Sequence, residues 1–399
     1  MGRMYDAIIL GGGLAGASMA GVLSAGGWST ALIDGHTFPR HKVCGEFLSP
    51  ESQGILASLG LKTLMDALHP SAIDRAQLTL ASGLSLHIPL PGTALGVSRY
   101  LLDHALHQAV RDQGGEVQTG VVVSSICRSE QGYHVETQLN QERRTMEARI
   151  VIGAWGRNPR SGLTTPHEPN LSPNSDPDPN HSHGAKSGSA PKTASRHSYI
   201  GVKSHFTGIQ QGRAVELYFF PGGYMGVSPI EGGRVNAAAL LTREAFNKAG
   251  KSVHGVMEAA SRLNPALHRR LEYGQMVPGS QAATFPVITG RKPAAWDLVP
   301  HIGDAAVVIP PLCGDGMAMA LKSVELCAHL ADRYLKGEIS LENWRDEYTQ
   351  ALMKEFAAPL RWGSLLQYAL GKPLLASMLL RAGLLSPRLA FRLVQATRI

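Results

Sequence analysis

The sequence contains few of the residue patterns that mark metal and disulfide proteins. Its four cysteines lie far apart with no Cys-x-x-Cys pair, and its 16 histidines include no His-Glu-x-x-His motif. These spacings exclude the common zinc sites and a disulfide framework. We therefore expect no metal, and reduced thiols in a cytoplasmic compartment.

Long apolar runs are also absent. No stretch reaches the roughly 18 to 20 apolar residues that span a bilayer. The first residues lead directly into a short apolar strand, so we expect no cleavable signal. The chain has 399 residues, of which 44% are hydrophobic and 17% charged. This composition predicts a globular protein of about two domains.

Acidic residues are missing from residues 356–399, which hold six basic residues and so six of the seven net positive charges. Leucines separate these bases, and Pro373 and Pro387 divide the segment into short helices. Two interpretations stay open: amphipathic helices on an anionic membrane surface, which would make the protein peripheral, or a helical cap on the core. Too few aromatic residues are interleaved for a nucleic-acid site.

Residues 158–198 lack aromatic side chains and contain seven prolines. Such a stretch cannot bury enough apolar area to offset the entropy of ordering, so we predict a disordered surface insertion.

A glycine-rich turn is the clearest motif that the sequence does contain. Gly11, Gly13 and Gly16 follow an apolar strand and precede a run of small helix-forming residues, and Asp34 ends a second strand about 20 residues later. The glycines allow the backbone to approach a pyrophosphate at a helix N-terminus, and the acid accepts hydrogen bonds from a ribose. On these residues alone, FAD and NAD both fit.

Further motifs carry a resemblance to a known family. They are Lys42-x-Cys44-Gly45, Arg99, Gly303-Asp304 and Pro311-x-x-Gly314-Asp315-Gly316-Met317. Together with the glycine turn, this set resembles the FAD-dependent oxidoreductases of the para-hydroxybenzoate hydroxylase type, and is most similar to their geranylgeranyl reductase-like branch. The resemblance implies FAD as the cofactor. It covers nearly the whole chain apart from the insertion and the last forty or so residues.

The resemblance also implies site residues. Those expected to bind the cofactor are Gly11, Gly13, Leu14, Ala15, Gly16, Asp34, Arg40, Cys44, Gly45, Arg99, Gly303, Asp304, Pro311, Gly314, Asp315, Gly316 and Met317. Those expected to line a substrate pocket are Pro221, Tyr224, Gly226 and Pro229. Cys44 is the expected catalytic residue, since a thiol at the cavity could donate a proton during double-bond reduction; the alternative is a small buried packing residue.

The sequence departs from the family pattern at two places. Gly153-Ala154-Trp155-Gly156-Arg157 replaces the Asp-Gly pair that relatives associate with nicotinamide use, so the electron donor is either NAD(P)H or a separate reductase or ferredoxin. Gly226 and Ser228 replace two aromatic residues of the substrate strand, which predicts a larger or differently shaped pocket.

The predicted fold class is α/β. A Rossmann-like FAD-binding domain with three layers (ββα) comprises residues 1–75, 97–157 and 284–340. An antiparallel β substrate domain comprises 76–96 and 199–283, and 341–399 form a helical, basic C-terminal cap.

Three functions remain at this point. The first is an FAD-dependent reductase of a lipophilic unsaturated substrate, isoprenoid or quinone-like, with hydride transfer from flavin N5. The second is an FAD-dependent monooxygenase that hydroxylates an aromatic or polyketide-like compound through a flavin hydroperoxide. The third is a non-catalytic lipid-binding protein on a flavoprotein scaffold, against which the intact glycines and acids argue.

Overall fold

The structure, a computed structural model, describes residues 3–157, 198–289 and 292–398. Its strands are β1 (Met4–Leu10), β2 (Thr30–Asp34), β3 (Phe47–Leu48), β4 (Ser71–Thr79), β5 (Ser85–Gly96), β6 (Glu116–Thr119), β7 (Val122–Ser129), β8 (Gly132–Leu139), β9 (Glu142–Gly153), β10 (Ser198–Thr207), β11 (Ala214–Phe220), β12 (Gly223–Ile230), β13 (Arg234–Thr242), β14 (Gln275–Met276) and β15 (Ala282–Ile288). Its helices are α1 (Leu14–Ala25), α2 (Ser52–Ser58), α3 (Lys62–Ala67), α4 (Arg99–Asp112), α5 (Arg243–Lys248), α6 (Val253–Leu263), α7 (Pro265–Leu271), α8 (Gly316–Leu335), α9 (Leu341–Leu370), α10 (Pro373–Leu385) and α11 (Pro387–Gln395).

The first sheet has the strand order β6-β2-β1-β9-β8-β7, with parallel pairing from β6 to β9 and an antiparallel meander beyond it. Strands β1 and β2 read as continuous apolar runs because both of their faces are covered. Ala7, Ile9 and Leu32 face α1, α4 and α8. Ile8 and Ile33 face the meander. Helices, parallel strands and meander therefore form the three layers that the sequence predicts.

The second sheet has nine strands in the order β14-β10-β13-β12-β11-β4-β5-β3, with β15 also paired to β10. It is antiparallel except that β11 pairs parallel with β4. Helices α6 and α7 pack their apolar side chains, including Val256 and Leu267, on one of its faces. Side chains of the other face, such as Phe219, pack against the C-terminal helices.

The C-terminal helices pack against this second sheet. Leu370 of α9, Leu380 of α10 and Ala390 of α11 share an apolar cluster with Leu86 and Ile88 of β5. Gly383 allows α10 to approach closely, because a Cβ there would lie 2.7 Å from the Leu86 Cδ2 atom. The segment thus has a face that covers the core, as the cap interpretation expects.

The predicted fold class is confirmed: a Rossmann-like sheet, a second sheet and a helical C-terminal segment are all present. Two of the predicted domain limits, 75/76 and 283/284, fall inside β4 and β15, and both strands belong to the second sheet. Of the predicted insertion, residues 158–197 lie outside the described residues, and Ser198 is the first residue of β10.

Candidate functional site

In the glycine turn between β1 and α1, glycine residues lie very close to neighbouring backbone atoms. Gly11 has φ +119°, and a Cβ there would lie 2.3 Å from the Ala154 carbonyl oxygen. A Cβ on Gly16 would lie 1.8 Å from the Gly11 carbonyl oxygen. Only glycine fits at these two positions. Gly13, Leu14 and Ala15, at the start of α1, line a cavity, which is the position of a phosphate cradle.

Asp34 at the end of β2 is held next to this turn. Its Oδ2 atom accepts a hydrogen bond from the Gly12 amide at 2.7 Å, and its Oδ1 atom accepts one from the His36 amide at 2.8 Å. Burial alone would raise the pKa of Asp34, but these hydrogen bonds lower it below the usual value. The side chain is therefore a carboxylate at neutral pH.

Basic side chains surround the glycine turn. A Cβ on Gly13 would lie 2.8 Å from Lys42 Nζ and 3.4 Å from Arg99 Nη2. Arg99 forms a two-point salt bridge with Asp103, with both nitrogen–oxygen distances at 2.8 Å. Burial lowers the pKa of Lys42 to about 8. The Nε atom of Arg40 is buried and makes no hydrogen bond. Three basic side chains therefore converge beside the glycine turn.

The opposite side of the cavity comes from a distant part of the chain. Gly303 has φ +61°, and a Cβ there would lie 2.8 Å from the Ala15 Cβ, so the two segments are in direct contact. Asp304 Oδ2 accepts a hydrogen bond from Arg157 Nε at 2.8 Å. Farther along, Gly314 takes φ +75° in the turn before α8, whose N-terminus begins at Gly316.

These elements enclose a continuous cavity of about 820 Å³. Most predicted cofactor residues line it: Gly11, Gly13, Leu14, Ala15, Asp34, Arg40, Cys44, Gly45, Arg99, Gly303, Asp304, Pro311, Gly314, Gly316 and Met317. Beyond Cys44 the cavity continues into an apolar compartment between the second sheet and the C-terminal helices. Its wall includes Leu78, Leu86, Ile88, Val215, Leu217, Tyr224, Gly226, Leu379, Leu380 and Leu393.

Four predicted site residues do not line this cavity. Gly16 packs beneath the turn against Gly11. Pro221 lies in the turn after β11, where it lines a separate depression, and Pro229 is absent from the cavity wall. The reason is strand alternation: residues 224, 226 and 228 of β12 face the cavity, so residue 229 faces away. The Asp315 carboxylate is fully buried and forms an ion pair with Arg398 instead.

Cys44 lies where the two parts of the cavity meet. Its Sγ atom accepts a hydrogen bond from the Glu46 amide at 3.4 Å, and its carbonyl oxygen accepts one from Asn236 at 3.0 Å. Burial alone would lower the pKa of the Arg99 guanidinium, but Asp103 and the neighbouring Cys44 raise this pKa above its usual value. The thiol is thus fixed beside a permanent cation. Cys313, in the turn before α8, differs, because burial raises its pKa to about 12.

A buried ionic cluster behind Cys44 was not predicted. Lys203 Nζ donates to Glu46 Oε1 at 2.7 Å, and His205 Nε2 lies 2.6 Å from Glu46 Oε2. Burial alone would raise the pKa of Glu46, but His205 and Lys203 lower it below the usual value. Glu46 also has φ +55°, a left-handed conformation that is costly for a non-glycine residue. The signal in the sequence was a lysine and a histidine at alternate positions of an apolar strand.

The residues present fit FAD on three observations. A Cβ on Gly13 would occupy the space between the turn and the ends of two basic side chains, so glycine leaves this space open to a phosphate. Arg40 has a buried nitrogen without a hydrogen-bond acceptor, which a phosphate oxygen would supply. The cavity then extends from Asp34 past Gly303 to Gly314, the path expected for an extended dinucleotide. In the described part of the chain, no group of three acidic, histidine or cysteine side chains could hold a metal ion.

Comparisons with known proteins agree with this site. Residues 4–170 match the family of FAD binding domains. The chain is similar to menaquinone reductase from Mycolicibacterium smegmatis, at 25% identity over 83% of this chain and 77% of that protein. It is also similar to digeranylgeranylglycerophospholipid reductase 2 from Methanopyrus kandleri, at 24% identity over 92% of this chain and 85% of that protein.

Solved structures share the fold. A triple mutant of the flavin-dependent brominase Bmp2 has a TM-score of 0.75 at 17% identity, covering 98% of this chain and 94% of the brominase. A geranylgeranyl bacteriochlorophyll reductase-like protein from Thermoplasma acidophilum has a TM-score of 0.69 at 17% identity, covering 92% and 88%. Across residues 3–157, 198–289 and 292–398, no helix is both long and apolar enough to cross a membrane.

Proposed function

We propose that this chain, an FAD-dependent oxidoreductase, reduces a carbon–carbon double bond in a lipophilic isoprenoid or quinone-like substrate. One observation carries the proposal: the cofactor cavity continues, past Cys44, into a compartment walled by aliphatic side chains. Such a compartment favours a hydrocarbon chain over a polar metabolite. The names of two relatives, menaquinone reductase and digeranylgeranylglycerophospholipid reductase, support the same substrate class.

The residues around the glycine turn would hold the cofactor. Asp34 would accept hydrogen bonds from the adenosine ribose, while Lys42 and Arg99 would neutralise the pyrophosphate beside Gly13. Asp304 would accept hydrogen bonds from hydroxyl groups near the middle of the cofactor. When bound in its reduced form, FAD supplies a hydride.

Cys44 would supply the proton that completes the reduction. Saturation of one double bond requires a hydride on one carbon and a proton on the other. The Sγ–H bond of Cys44 would break to give this proton, and the thiol would then be restored with a proton from water. Arg99, next to Cys44, would stabilise the thiolate formed in between.

Anaerobic single-turnover kinetics test this role. Chemically reduced wild-type enzyme should be reoxidised by a prenylated quinone or a geranylgeranyl lipid under argon. Cys44→Ala should slow that step by about 10²- to 10⁴-fold, the usual contribution of a general acid. Cys127→Ala is the matched control, because Cys127 lies on β7 and does not line the cavity. An unchanged rate in Cys44→Ala removes the proposed role.

Oxygen demand separates this proposal from the monooxygenase alternative. Turnover under argon supports the reductase, whereas consumption of one dioxygen per product overturns it in favour of hydroxylation. The electron donor is proposed to be NAD(P)H or a reductase or ferredoxin. Anaerobic mixing of the oxidised enzyme with NADH, NADPH or reduced ferredoxin identifies it, since only the donor bleaches the flavin absorbance rapidly.

The C-terminal helices are proposed to contact an anionic membrane surface. Their outer face exposes large apolar side chains, including Leu365 (55%), Leu374 (81%), Met378 (66%) and Leu385 (88%). No acidic residue follows Glu355, so the bases beside this face are not balanced within the segment. Basic and apolar side chains on one face are typical of helices that lie in the membrane interface.

Sedimentation with vesicles tests the membrane contact. The double variant Leu374→Ser and Leu385→Ser should lose most of its binding to vesicles containing phosphatidylglycerol, and wild type should bind neutral vesicles weakly. Tyr273→Ser is the control, because Tyr273 is similarly exposed (79%) but lies just after α7, which packs on the face of the second sheet opposite the C-terminal helices. Equal sedimentation of all three proteins contradicts the contact.

A further inference from the structure

Arg398, which follows α11, is part of the cavity wall. Its side chain is only 9% exposed, and it pairs with the fully buried Asp315. Its guanidinium carbon lies 5.8 Å from the centre of the Phe47 ring. Arg398 lines the cavity together with Cys313 and Gly314 of the turn before α8. The C-terminal segment therefore places a cation at the junction between the cofactor end and the apolar compartment.

The hydrogen-bonding capacity of this guanidinium is not used up. Arginine has five N–H donors, and the Asp315 contact uses Nη1. The Nε atom is buried and has no hydrogen-bond partner. A buried donor without an acceptor destabilises the folded state. Because Arg398 lines the cavity with part of its side chain exposed, the guanidinium N–H groups that do not contact Asp315 can donate to an oxygen of a ligand.

The net charge of the Arg398–Asp315 pair determines whether it favours an anionic or an uncharged ligand oxygen. Burial raises the pKa of Asp315 to about 6, so the carboxylate is ionised at neutral pH and balances the charge of Arg398. A neutral ion pair attracts an anion such as a phosphate only weakly, but its N–H groups still donate to an uncharged carbonyl. The surrounding wall is apolar, with Leu379, Leu393 and Val394 close by in the cavity.

We propose that Arg398 is a specificity-determining residue that donates a hydrogen bond to an uncharged carbonyl oxygen of the lipophilic substrate. The hydrocarbon part of the same molecule then occupies the compartment between the second sheet and the C-terminal helices. This inference rests on the proposed function, and it narrows the substrate class to prenyl lipids that carry a carbonyl group, such as prenylated quinones or ketones.

Binding of two matched probes to the FAD-loaded enzyme tests this role. Farnesylacetone carries a carbonyl on a prenyl chain, and farnesene is a prenyl hydrocarbon without oxygen. Wild type should bind farnesylacetone more tightly than farnesene. Arg398→Met should lower the affinity for farnesylacetone by about ten- to hundred-fold, the usual effect of losing one hydrogen bond to a charged group. Its affinity for farnesene should equal that of wild type. Isothermal titration calorimetry measures both affinities.

Arg398→Lys keeps a cation opposite Asp315 and provides a second variant if Arg398→Met does not fold. Its affinity for farnesylacetone should lie between those of the other two proteins. If Arg398→Met loses affinity for both probes equally, or for neither, the role of Arg398 is overturned but the proposed function remains intact. If the variant changes the FAD affinity or the flavin spectrum in the absence of a probe, Arg398 contacts the cofactor and the proposed role in substrate binding is overturned. If wild type binds neither probe, the lipophilic cavity itself is refuted, and the proposed function with it.

Discussion

Removal of the Lys203 ammonium should strongly destabilise the protein. Lys203 Nζ and Glu46 Oε1 are 2.7 Å apart, and both side chains are fully buried. At an effective dielectric constant of about 20, two unit charges at this distance attract by about 6 kcal/mol. Removal of one partner of a buried ion pair typically costs about 3 to 5 kcal/mol, and the Glu46 carboxylate would then keep His205, at 2.6 Å, as its remaining side-chain partner. We expect Lys203→Met to lower the free energy of unfolding by this amount.

Urea denaturation followed by circular dichroism measures the loss. Lys248→Met is a closely matched control, because Lys248 and Glu244 are also 2.7 Å apart but are both 76% exposed. That variant should unfold at nearly the same urea concentration as wild type, since solvent screens the pair. The double variant Glu46→Gln and Lys203→Met should be less destabilised than the sum of its single variants.

A specific result would refute this reasoning. If Lys203→Met and Lys248→Met shift the midpoint equally, burial does not strengthen the interaction, and the cluster behind Cys44 contributes no more than a surface ion pair. Strict additivity in the double variant would likewise show that the two charges do not interact.

Three further predictions follow from single contacts. Gly13→Ala should weaken FAD binding by at least about tenfold, because its Cβ would occupy the space between the turn and the Lys42 and Arg99 side chains in which the pyrophosphate would lie. Gly54→Ala, with open space around its Cβ, should leave FAD binding unchanged when apoprotein is titrated with FAD. Gly383→Leu should cost about 1 to 3 kcal/mol of unfolding free energy through overpacking against Leu86, and Leu86→Ala in the same chain should restore part of it. Burial raises the pKa of Asp315 from 3.8 to about 6, so ionisation of this carboxyl destabilises the folded state by about 3 kcal/mol as the pH rises from about 4 through 6. The unfolding free energy of wild type relative to Asp315→Asn should therefore fall over that pH range, and a rise would contradict the pKa shift.

The parts of the site that could be predicted from the sequence are local. The glycine turn and Asp34 follow from a strand, a turn and a helix within 30 residues, so their spacing alone identifies them. Gly303 and Gly314 were found through a family resemblance and not through physical pattern. The fold class was predicted correctly because the apolar runs of β1 and β9 and the alternation of β10 to β13 are clear in the sequence.

The parts that could not be predicted depend on contacts between distant residues. Arg398 and Asp315 are 83 positions apart, and Lys203 and Glu46 are 157 apart. No periodicity links such pairs, since only the packing of the two sheets and the C-terminal helices brings them together. Pro229 shows a different failure: a residue carried over from a family motif was assigned to the cavity although strand alternation turns it away.

The Gly303–Ala15 contact also has an evolutionary consequence. Ala15 lies on α1 and Gly303 begins a short 3₁₀ turn, and all strands of the second sheet lie between these two residues in the sequence. Substitutions on the cavity face of β12, such as those at Gly226 and Ser228, can therefore reshape the ligand compartment without disturbing the contacts that hold the dinucleotide. A chain organised in this way can acquire new substrates by mutation while it retains its redox chemistry.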